Sequence, residues 1–330
     1  MILEEEKLQQ MKLRALSHYG NDVNTRYGDC ILLYDTFTLV VYDCGHTRHT
    51  QEIESFLEAR AAISQVHIVV SHNDSDHTNG VVDLLDYLYR KRSTRNYQVT
   101  VYSSLYLKHA DKVLALLDDD RRTSEATKQR ILETFDKIAE IVETAQDYSF
   151  SIVDATTNTS VASCWIVGPT ENEFVEVVAQ AIEDDSVTDI EGETVMNAAS
   201  VQLKCKLDSA DMVLLCGDAT PAYLHRLNSY QIIQLPHHGK LDSAKEIFEK
   251  ILDPRAKAYL VSDNTGSGAN SGGSDDLIRY MREEKFKPAL NTKNGEVNLP
   301  QGGTQGGGGS TTYSRPQGVK LGGMDSRRWF

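Results

Sequence analysis

The hydrophobic pattern of the chain alternates between short β-rich segments and longer segments with helical spacing. Residues 11–16, 30–34 and 38–42 are short β-rich segments separated by polar turns, which predicts adjacent strands at the start of a sheet. Residues 51–62 carry apolar side chains on one helical face, and the run at 66–70 is typical of a fully buried strand. Strands and helices continue to alternate toward the C-terminal end of the chain, which predicts the α/β fold class.

Some segments depart from this alternation. Residues 105–145 have the spacing of two long amphipathic helices broken near 118–120, which predicts a helical insertion at about 104–147. The acidic segment 183–193 and the glycine- and serine-rich segment 265–274 are expected to be loops.

The tail after Pro300 contains nine glycines. Such a composition cannot bury enough apolar surface to offset the entropy of ordering the chain. We therefore expect one domain over residues 1–300 and a flexible Gly-rich tail over 301–330, with a partner-docking peptide as the alternative for the tail.

Composition and charge restrict the function classes. The 330 residues are 40% hydrophobic and 25% charged, which is ordinary for a globular protein, and the net charge of -14 argues against nonspecific binding of a polyanion. The five cysteines are odd in number and form no CxxC pair, as expected of reduced thiols. Because the N-terminus lacks a signal-peptide pattern and no apolar run approaches the ~18 residues of a membrane span, we expect a cytoplasmic protein that binds no membrane.

The strongest chemical signal lies directly after the apolar run at 66–70. His72, Asp74, Asp76 and His77 bring two imidazoles and two carboxylates together within six residues. In a loop between a strand and a helix these side chains can converge, and a mixed nitrogen and oxygen donor set suits zinc or manganese. The alternative is a helix N-terminus, in which Asp74 or Asp76 caps the helix and the histidines are exposed.

This segment resembles the HxHxDH signature of the metallo-β-lactamase superfamily, with Asp74 in the place of the second histidine. The HxDxDH variant looks like the soluble hydrolase domain of bacterial competence proteins, which act during DNA uptake. The resemblance implies a metallo-β-lactamase-like αββα sandwich and two divalent metal ions, zinc or manganese.

Three further elements are similar to that group. Asp43 ends the opening hairpin, and the resemblance implies that it supports a metal ligand; Asp218, after another apolar strand, would bridge two ions. His237 and His238 lie in a Pro-His-His-Gly element, where either one can ligate a metal while the other contacts substrate or moves a proton. Without a metal site, the two aspartates would be turn or helix-cap residues, and either histidine would be a buried residue with a structural role.

The chain also departs from the superfamily pattern. No histidine lies between residues 110 and 210, and the closest match to the missing ligand is Asn197, which can equally be a turn residue. One metal position is therefore expected to be weakly held or oxygen-rich. A Gly-His-Pro element common in the competence group is also absent, because the corresponding residues read Asp263-Asn264-Thr265.

The resemblance implies how the candidate ligands divide between two ions. One ion would be held by Asp76, His77, Asp218 and either His237 or His238, and the other by His72, Asp74 and the shared Asp218. Asp76 and His238 are the expected catalytic residues, with either His238 or a metal-bound water as the proton donor.

The expected activity is hydrolysis of a phosphodiester, as a nuclease acting on DNA through a metal-activated hydroxide. The first alternative is a small-molecule esterase, lactonase or phosphorylcholine esterase of the same fold. The second is a partner-regulated effector, for example in phage defence, or an inactive interaction protein, with a partner bound by the insertion or the tail. Fold by itself does not decide among these functions.

Overall fold

The structure is a computed structural model that describes residues 11–16, 27–104, 110–117, 123–183, 189–190, 193–264 and 275–300. Four predicted features lie wholly or largely outside the described residues: the tail 301–330, the segment 265–274, the helix break near 118–120 and the acidic loop 183–193.

The first sheet contains seven strands with a mixed pattern of pairing. They are β1 (Lys12–Ala15), β2 (Ile31–Tyr34), β3 (Thr38–Tyr42), β4 (Gln65–Val69), β5 (Gln98–Ser103), β6 (Ser151–Asp154) and β16 (Val297–Leu299). Their spatial order is β16-β1-β2-β3-β4-β5-β6. The pairs from β16 to β3 are antiparallel, whereas those from β3 to β6 are parallel. The predicted strands that begin this sheet are confirmed.

The second sheet also contains seven strands and has the same mixed character. They are β7 (Ser160–Val161), β8 (Cys164–Gly168), β11 (Gln202–Lys206), β12 (Met212–Leu215), β13 (Ile232–Gln234), β14 (Ala258–Val261) and β15 (Leu290–Asn291). Their order is β15-β14-β13-β12-β11-β8-β7, and the pairs from β12 to β15 are parallel. A separate two-stranded ribbon joins β9 (Asp189–Ile190) and β10 (Glu193–Thr194).

Helices cover the outer faces of both sheets. They are α1 (Thr47–Glu58), α2 (Ser75–Thr78), α3 (Val81–Arg90), α4 (Ala110–Leu116), α5 (Ser124–Thr134), α6 (Asp136–Asp147), α7 (Glu171–Glu183), α8 (Val195–Ala198), α9 (Leu241–Lys250) and α10 (Asp275–Glu283). In the part of the chain that the structure describes, no helix is both long enough and apolar enough to span a membrane.

Apolar side chains form three layers of core. Leu33 of the first sheet and Leu203 of the second belong to the layer between the sheets. The outer face of the first sheet packs against α1, α3 and α5–α7, and the outer face of the second packs against α9 and α10. The predicted α/β class and αββα sandwich are therefore confirmed.

Three details differ from the predicted elements. Helix α1 begins at Thr47, because the ring Nδ1 of His46 accepts a hydrogen bond from the backbone N of Arg48 (3.0 Å) and caps the helix. The region between β5 and β6 holds three described helices instead of two, since Phe135 has non-helical backbone angles and separates α5 from α6. Helices α7 and α10 were not predicted; in α10 only Leu277 and Met281 are buried, so its apolar signal is weak.

Candidate metal centre at the strand ends

The sequence motifs meet at one edge of the sandwich. Asp43 follows β3 and His72 follows β4, and these strands are parallel, so their C-terminal ends share an edge. Asp218 follows β12 and His238 follows β13, which are also parallel. The backbone N of Val201 donates to the carbonyl of Ser71 (2.8 Å), which joins the two sheets at this edge. Residues far apart in sequence therefore converge at one place.

The centre of the cluster consists of His72, His77 and Asp218. All three side chains are buried, and each offers a ligand atom within 4.8 Å of the others. The Nε2 atom of His77 lies 3.5 Å from Asp218 Oδ1, and the Nε2 atom of His72 lies 3.9 Å from Asp218 Oδ2. Both imidazoles therefore face the same carboxylate. In the expected division of ligands, Asp218 was likewise shared between the ion of His72 and the ion of His77.

Asp43 and Ser71 fix the orientation of both rings. Asp43 Oδ2 lies 2.8 Å from His77 Nδ1 and accepts a hydrogen bond from Ser71 Oγ (2.6 Å), while Ser71 Oγ lies 2.9 Å from His72 Nδ1. Since the carboxylate can only accept, His77 donates from Nδ1; Ser71, whose proton goes to Asp43, accepts from His72 Nδ1. When both rings are neutral, their Nε2 atoms are lone-pair donors that face Asp218, as metal ligands must be.

These residues fit a divalent metal ion. Among the described residues, neither His72 Nε2 nor His77 Nε2 has a hydrogen-bond partner, although both atoms are buried. A buried polar atom without a partner is costly, and coordination of a cation would satisfy both atoms together. Two imidazoles and a carboxylate form a ligand set typical of zinc and related divalent ions.

His238 lies in a second group with Asp29 and His77. Its Nδ1 atom is 3.0 Å from both Asp29 Oδ1 and the carbonyl of Ser262, and its Nε2 atom is 3.2 Å from Asp76 Oδ2. Because both groups around Nδ1 are acceptors, Nδ1 carries the proton. Asp29 thus holds His238 as Asp43 holds His77. Asp29 is not among the candidate site residues that the sequence predicted.

His237 and Asn197 lie at the side of the cluster. The side chain of His237 is 25% exposed, and its Nδ1 atom is 4.0 Å from Asp218 Oδ2 and 3.3 Å from Asn197 Nδ2. In contrast, His238 is almost fully buried. The structure therefore brings His238 into the cluster and leaves His237 at its solvent-accessible rim, with Asn197 beside it.

The carboxylates of Asp74 and Asp76 each lie beside a different histidine of the cluster. Asp74 Oδ2 is 3.7 Å from His72 Nε2, and its side chain is 42% exposed. Asp76 Oδ2 accepts a hydrogen bond from Asn264 Nδ2 (2.6 Å), while Asn264 Oδ1 accepts one from the backbone N of Gly28 (2.9 Å). Asn264 therefore supports Asp76 from the loop where the sequence lacks the Gly-His-Pro element. The sequence alone could not predict this contact, because an asparagine after a strand is common in turns.

Several of these loops contain residues in the left-handed backbone region. Asp43, His237 and His238 have φ values of 60°, 51° and 53°. Such angles cost about 1 kcal/mol or more for a residue other than glycine, and they persist where the surrounding structure requires them. Here they turn consecutive side chains of the Pro-His-His-Gly element in different directions, so that one histidine enters the cluster and the other does not.

The charges of the cluster strongly influence one another. Burial alone would lower the pKa of His77 and His238, but the neighbouring carboxylates, with Asp218 foremost, raise both pKa values well above the usual range. Burial raises the pKa of Asp218 and Asp76, but nearby histidines outweigh it and lower both values. Protons and a metal ion therefore compete for the same imidazole nitrogens, and we expect metal binding to weaken as pH falls.

The HxDxDH element at the end of β4 and the four-layer topology together define the fold. This is a metallo-β-lactamase-like fold.

Solved structures include similar folds. One is the metallo-β-lactamase-fold protein YhfI of Bacillus subtilis, with 12% identity, coverage of 86% of this chain and 95% of that chain, and a TM-score of 0.48. Another is a motif mutant of a Cronobacter sakazakii metallo-β-lactamase, with 14% identity, coverage of 80% and 88%, and a TM-score of 0.31. No family model and no curated protein matches the chain. At such low identity these are likenesses of fold and say nothing about substrate.

The helical insertion contacts the candidate metal loop directly. Asn73, between His72 and Asp74, accepts a hydrogen bond from the backbone N of Ile138 and donates one to Asp136 Oδ1, both 3.0 Å long. Both partners belong to the first turn of α6. The insertion therefore supports the loop that carries four of the candidate ligands.

Replacing Asp43 with asparagine is expected to weaken metal affinity by about 10- to 100-fold, the usual effect of removing a group that orients a ligand. The amide NH₂ would face the Nδ1 proton of His77, so the ring would change tautomer and protonate Nε2. Titration of metal-stripped protein with Zn²⁺ or Mn²⁺ measures the effect. Asp242→Asn is the control, since it makes the same chemical change at an exposed aspartate of α9. If Asp43→Asn binds metal as tightly as Asp242→Asn, the tautomer explanation is wrong.

Proposed function

We propose that this chain is a metal-dependent hydrolase that cleaves phosphodiesters, with DNA as its substrate. The observation that carries the proposal is the pair of buried Nε2 atoms of His72 and His77, which lack partners among the described residues and face the carboxylate of Asp218. A cluster of this kind costs stability in the absence of a cation, which favours a binding role over a purely structural one.

The proposed ligands of the first metal ion are His72, His77 and Asp218. The carboxylates of Asp74 and Asp76 are proposed to serve a second and weaker ion. Zinc and manganese suit this mixture of nitrogen and oxygen donors. When bound, a divalent ion lowers the pKa of coordinated water and neutralises negative charge on a phosphoryl group.

The remaining residues position groups and move protons. His238 is proposed to hold a proton at Nε2 for the leaving oxygen, because Nε2 lies 3.2 Å from the acceptor Asp76 Oδ2, while Asp29 and the carbonyl of Ser262 accept from Nδ1. Asn264 holds Asp76 in place by its 2.6 Å hydrogen bond. His237, at the exposed rim, is placed where a substrate can approach it.

The choice of phosphodiester rests on the resemblance of the HxDxDH and Pro-His-His-Gly elements to the competence-protein hydrolase domain. A second candidate is a small-molecule ester or lactone, and the net charge of -14 favours it, because an acidic chain repels a polyanion. The same metal centre would serve either reaction, so substrate screening must separate the two.

The test combines metal content with cleavage assays on full-length protein. Metal-stripped protein is reconstituted with Mn²⁺, Mg²⁺ or Zn²⁺ and incubated with supercoiled plasmid, single-stranded oligonucleotide and a p-nitrophenyl ester. We expect metal-dependent cleavage of DNA that falls by about a hundredfold or more in Asp76→Ala. Asp242→Ala is the matched control, since Asp242 is an exposed aspartate of α9 and should leave the rate unchanged.

The other outcomes are informative. Cleavage of the ester alone would overturn the DNA assignment but keep the hydrolase. Bound metal without any cleavage would favour a restrained effector or an interaction protein that binds a partner through the insertion or the tail. Failure to bind metal would overturn the proposed enzyme itself.

A further inference from the structure

A cavity of about 550 Å³ lies apart from the candidate metal centre and shares no lining residue with it. Its floor is the outer face of the second sheet, where β8, β11 and β12 contribute Val167, Lys204 and Met212. The next residue along β11, Cys205, points into the core between the sheets, so Lys204 points outward. A cavity of this size matches the volume of ordinary small-molecule sites.

The lining has an unusual charge for such an acidic protein. Lys204 and Arg226 both line the cavity, and none of its described lining residues is an aspartate or glutamate. This contrasts with the whole chain, where 48 acidic residues outnumber 34 lysines and arginines. Asn158 and Thr170 add neutral polar groups at the walls. The cavity thus presents two permanent cations and neutral polar side chains.

The two cations are available to a ligand. Within the described part of the chain, neither Lys204 nor Arg226 forms an ion pair; Lys204 Nζ stands over the ring of Trp165, 5.2 Å from its centroid. Glu173 contacts the rim of the cavity, and both of its carboxylate oxygens already have partners. Oε1 lies 2.7 Å from His225 Nε2, and Oε2 accepts a hydrogen bond from the backbone N of Thr170 (2.7 Å). Glu173 is therefore held at the rim by these contacts.

The backbone at Arg226 indicates that its position is imposed by the fold. Arg226 has a left-handed backbone with φ 54°, which is unfavourable for a residue with a side chain. Its carbonyl accepts two hydrogen bonds from Ser229, one from the backbone N (2.9 Å) and one from Oγ (2.8 Å). These bonds maintain the strained turn that brings the guanidinium to the cavity.

From this lining we infer that the cavity is a binding site for a small organic phosphate, separate from the metal centre. Arg226 and Lys204 would contact the phosphate, and the apolar part of the ligand would lie against Val167 and Met212 on the floor. Guanidinium and ammonium groups together suit the charge and geometry of a phosphate group.

Calorimetric titration of the full-length protein with phenylphosphonate, which is not an ester and cannot be hydrolysed, tests this inference. We expect saturable binding that persists in excess EDTA, because no metal takes part. Lys204→Met and Arg226→Ala should each weaken it by about tenfold or more, as expected for a lost charge-assisted hydrogen bond. Lys206→Met is the matched control, since Lys206 lies two residues along the same strand outside the cavity lining, and should change affinity less than twofold (about 0.4 kcal/mol).

Several results would overturn the inference. These are no binding to the wild type, binding that EDTA abolishes, and equal weakening by Lys206→Met. Benzoate binding as tightly as phenylphosphonate would overturn the phosphate assignment in favour of a carboxylate. Thermal unfolding of each variant shows whether it is folded, and the conservative Lys204→Arg variant, which keeps the charge, should retain binding.

Discussion

Asp218→Asn is expected to abolish metal binding and hydrolysis together. The carboxylate of Asp218 faces the Nε2 atoms of both His72 and His77 and accepts a hydrogen bond from the backbone N of His237 (3.0 Å). Asparagine keeps the shape and one acceptor but removes the negative charge at the point where both imidazoles converge. We expect metal per chain to fall well below one ion after dialysis, and turnover to fall by about a thousandfold.

The comparison needs a control for loss of one acidic charge. Asp211→Asn serves this purpose, since Asp211 lies on the turn between β11 and β12, where its carboxylate accepts an exposed hydrogen bond from Ser209 Oγ (2.7 Å). Metal content is measured by plasma mass spectrometry and turnover on whichever substrate the wild type cleaves. If Asp218→Asn retains a full complement of metal, the assignment of the central ligand is wrong even if activity falls.

The second large effect is expected for Gly28→Ala, on stability as well as on the site. Gly28 has φ +68°, and an added Cβ would lie 1.6 Å from the carbonyl oxygen of Asp76. The same oxygen accepts a hydrogen bond from the backbone N of Asp29 (3.0 Å). Since a backbone atom cannot move away cheaply, the metal loop itself would have to shift. We expect the free energy of unfolding to fall by about 3 kcal/mol or more, together with a loss of metal affinity.

Gly295→Ala separates the steric clash from the backbone strain. Gly295 also has a positive φ of +123°, but an added Cβ would meet nothing within 4 Å. The free energy of unfolding of Gly295→Ala should therefore fall only by the cost of the backbone strain, about 1 to 3 kcal/mol. Urea unfolding in EDTA measures both variants without a contribution from bound metal. A Gly28→Ala protein that is as stable as Gly295→Ala and binds metal normally would contradict the close approach of these two loops.

The predicted elements agree with the structure where the prediction rests on a pattern within a few consecutive residues. The pattern of apolar residues predicted the strand at Thr38–Tyr42, and it predicted that His72 follows a buried strand, as the structure shows. The same reasoning placed Asp218 and His237 at strand ends. It missed the break between α5 and α6 at Phe135, because the backbone there departs from the helix while the side chain stays buried and keeps the apolar pattern.

The sequence by itself therefore determined the α/β class, the strands that carry the motifs and the donor types of the candidate metal centre, because apolar periodicity and motif spacing act over a few residues. Only the tertiary structure decided how these donors are paired. Asp29 meets His238 across 209 positions and Asn264 meets Asp76 across 188, and such contacts depend on how two sheets are stacked. Which histidine of the adjacent pair enters the cluster was also decided there, because left-handed backbone angles at His237 and His238 leave no trace in apolar periodicity.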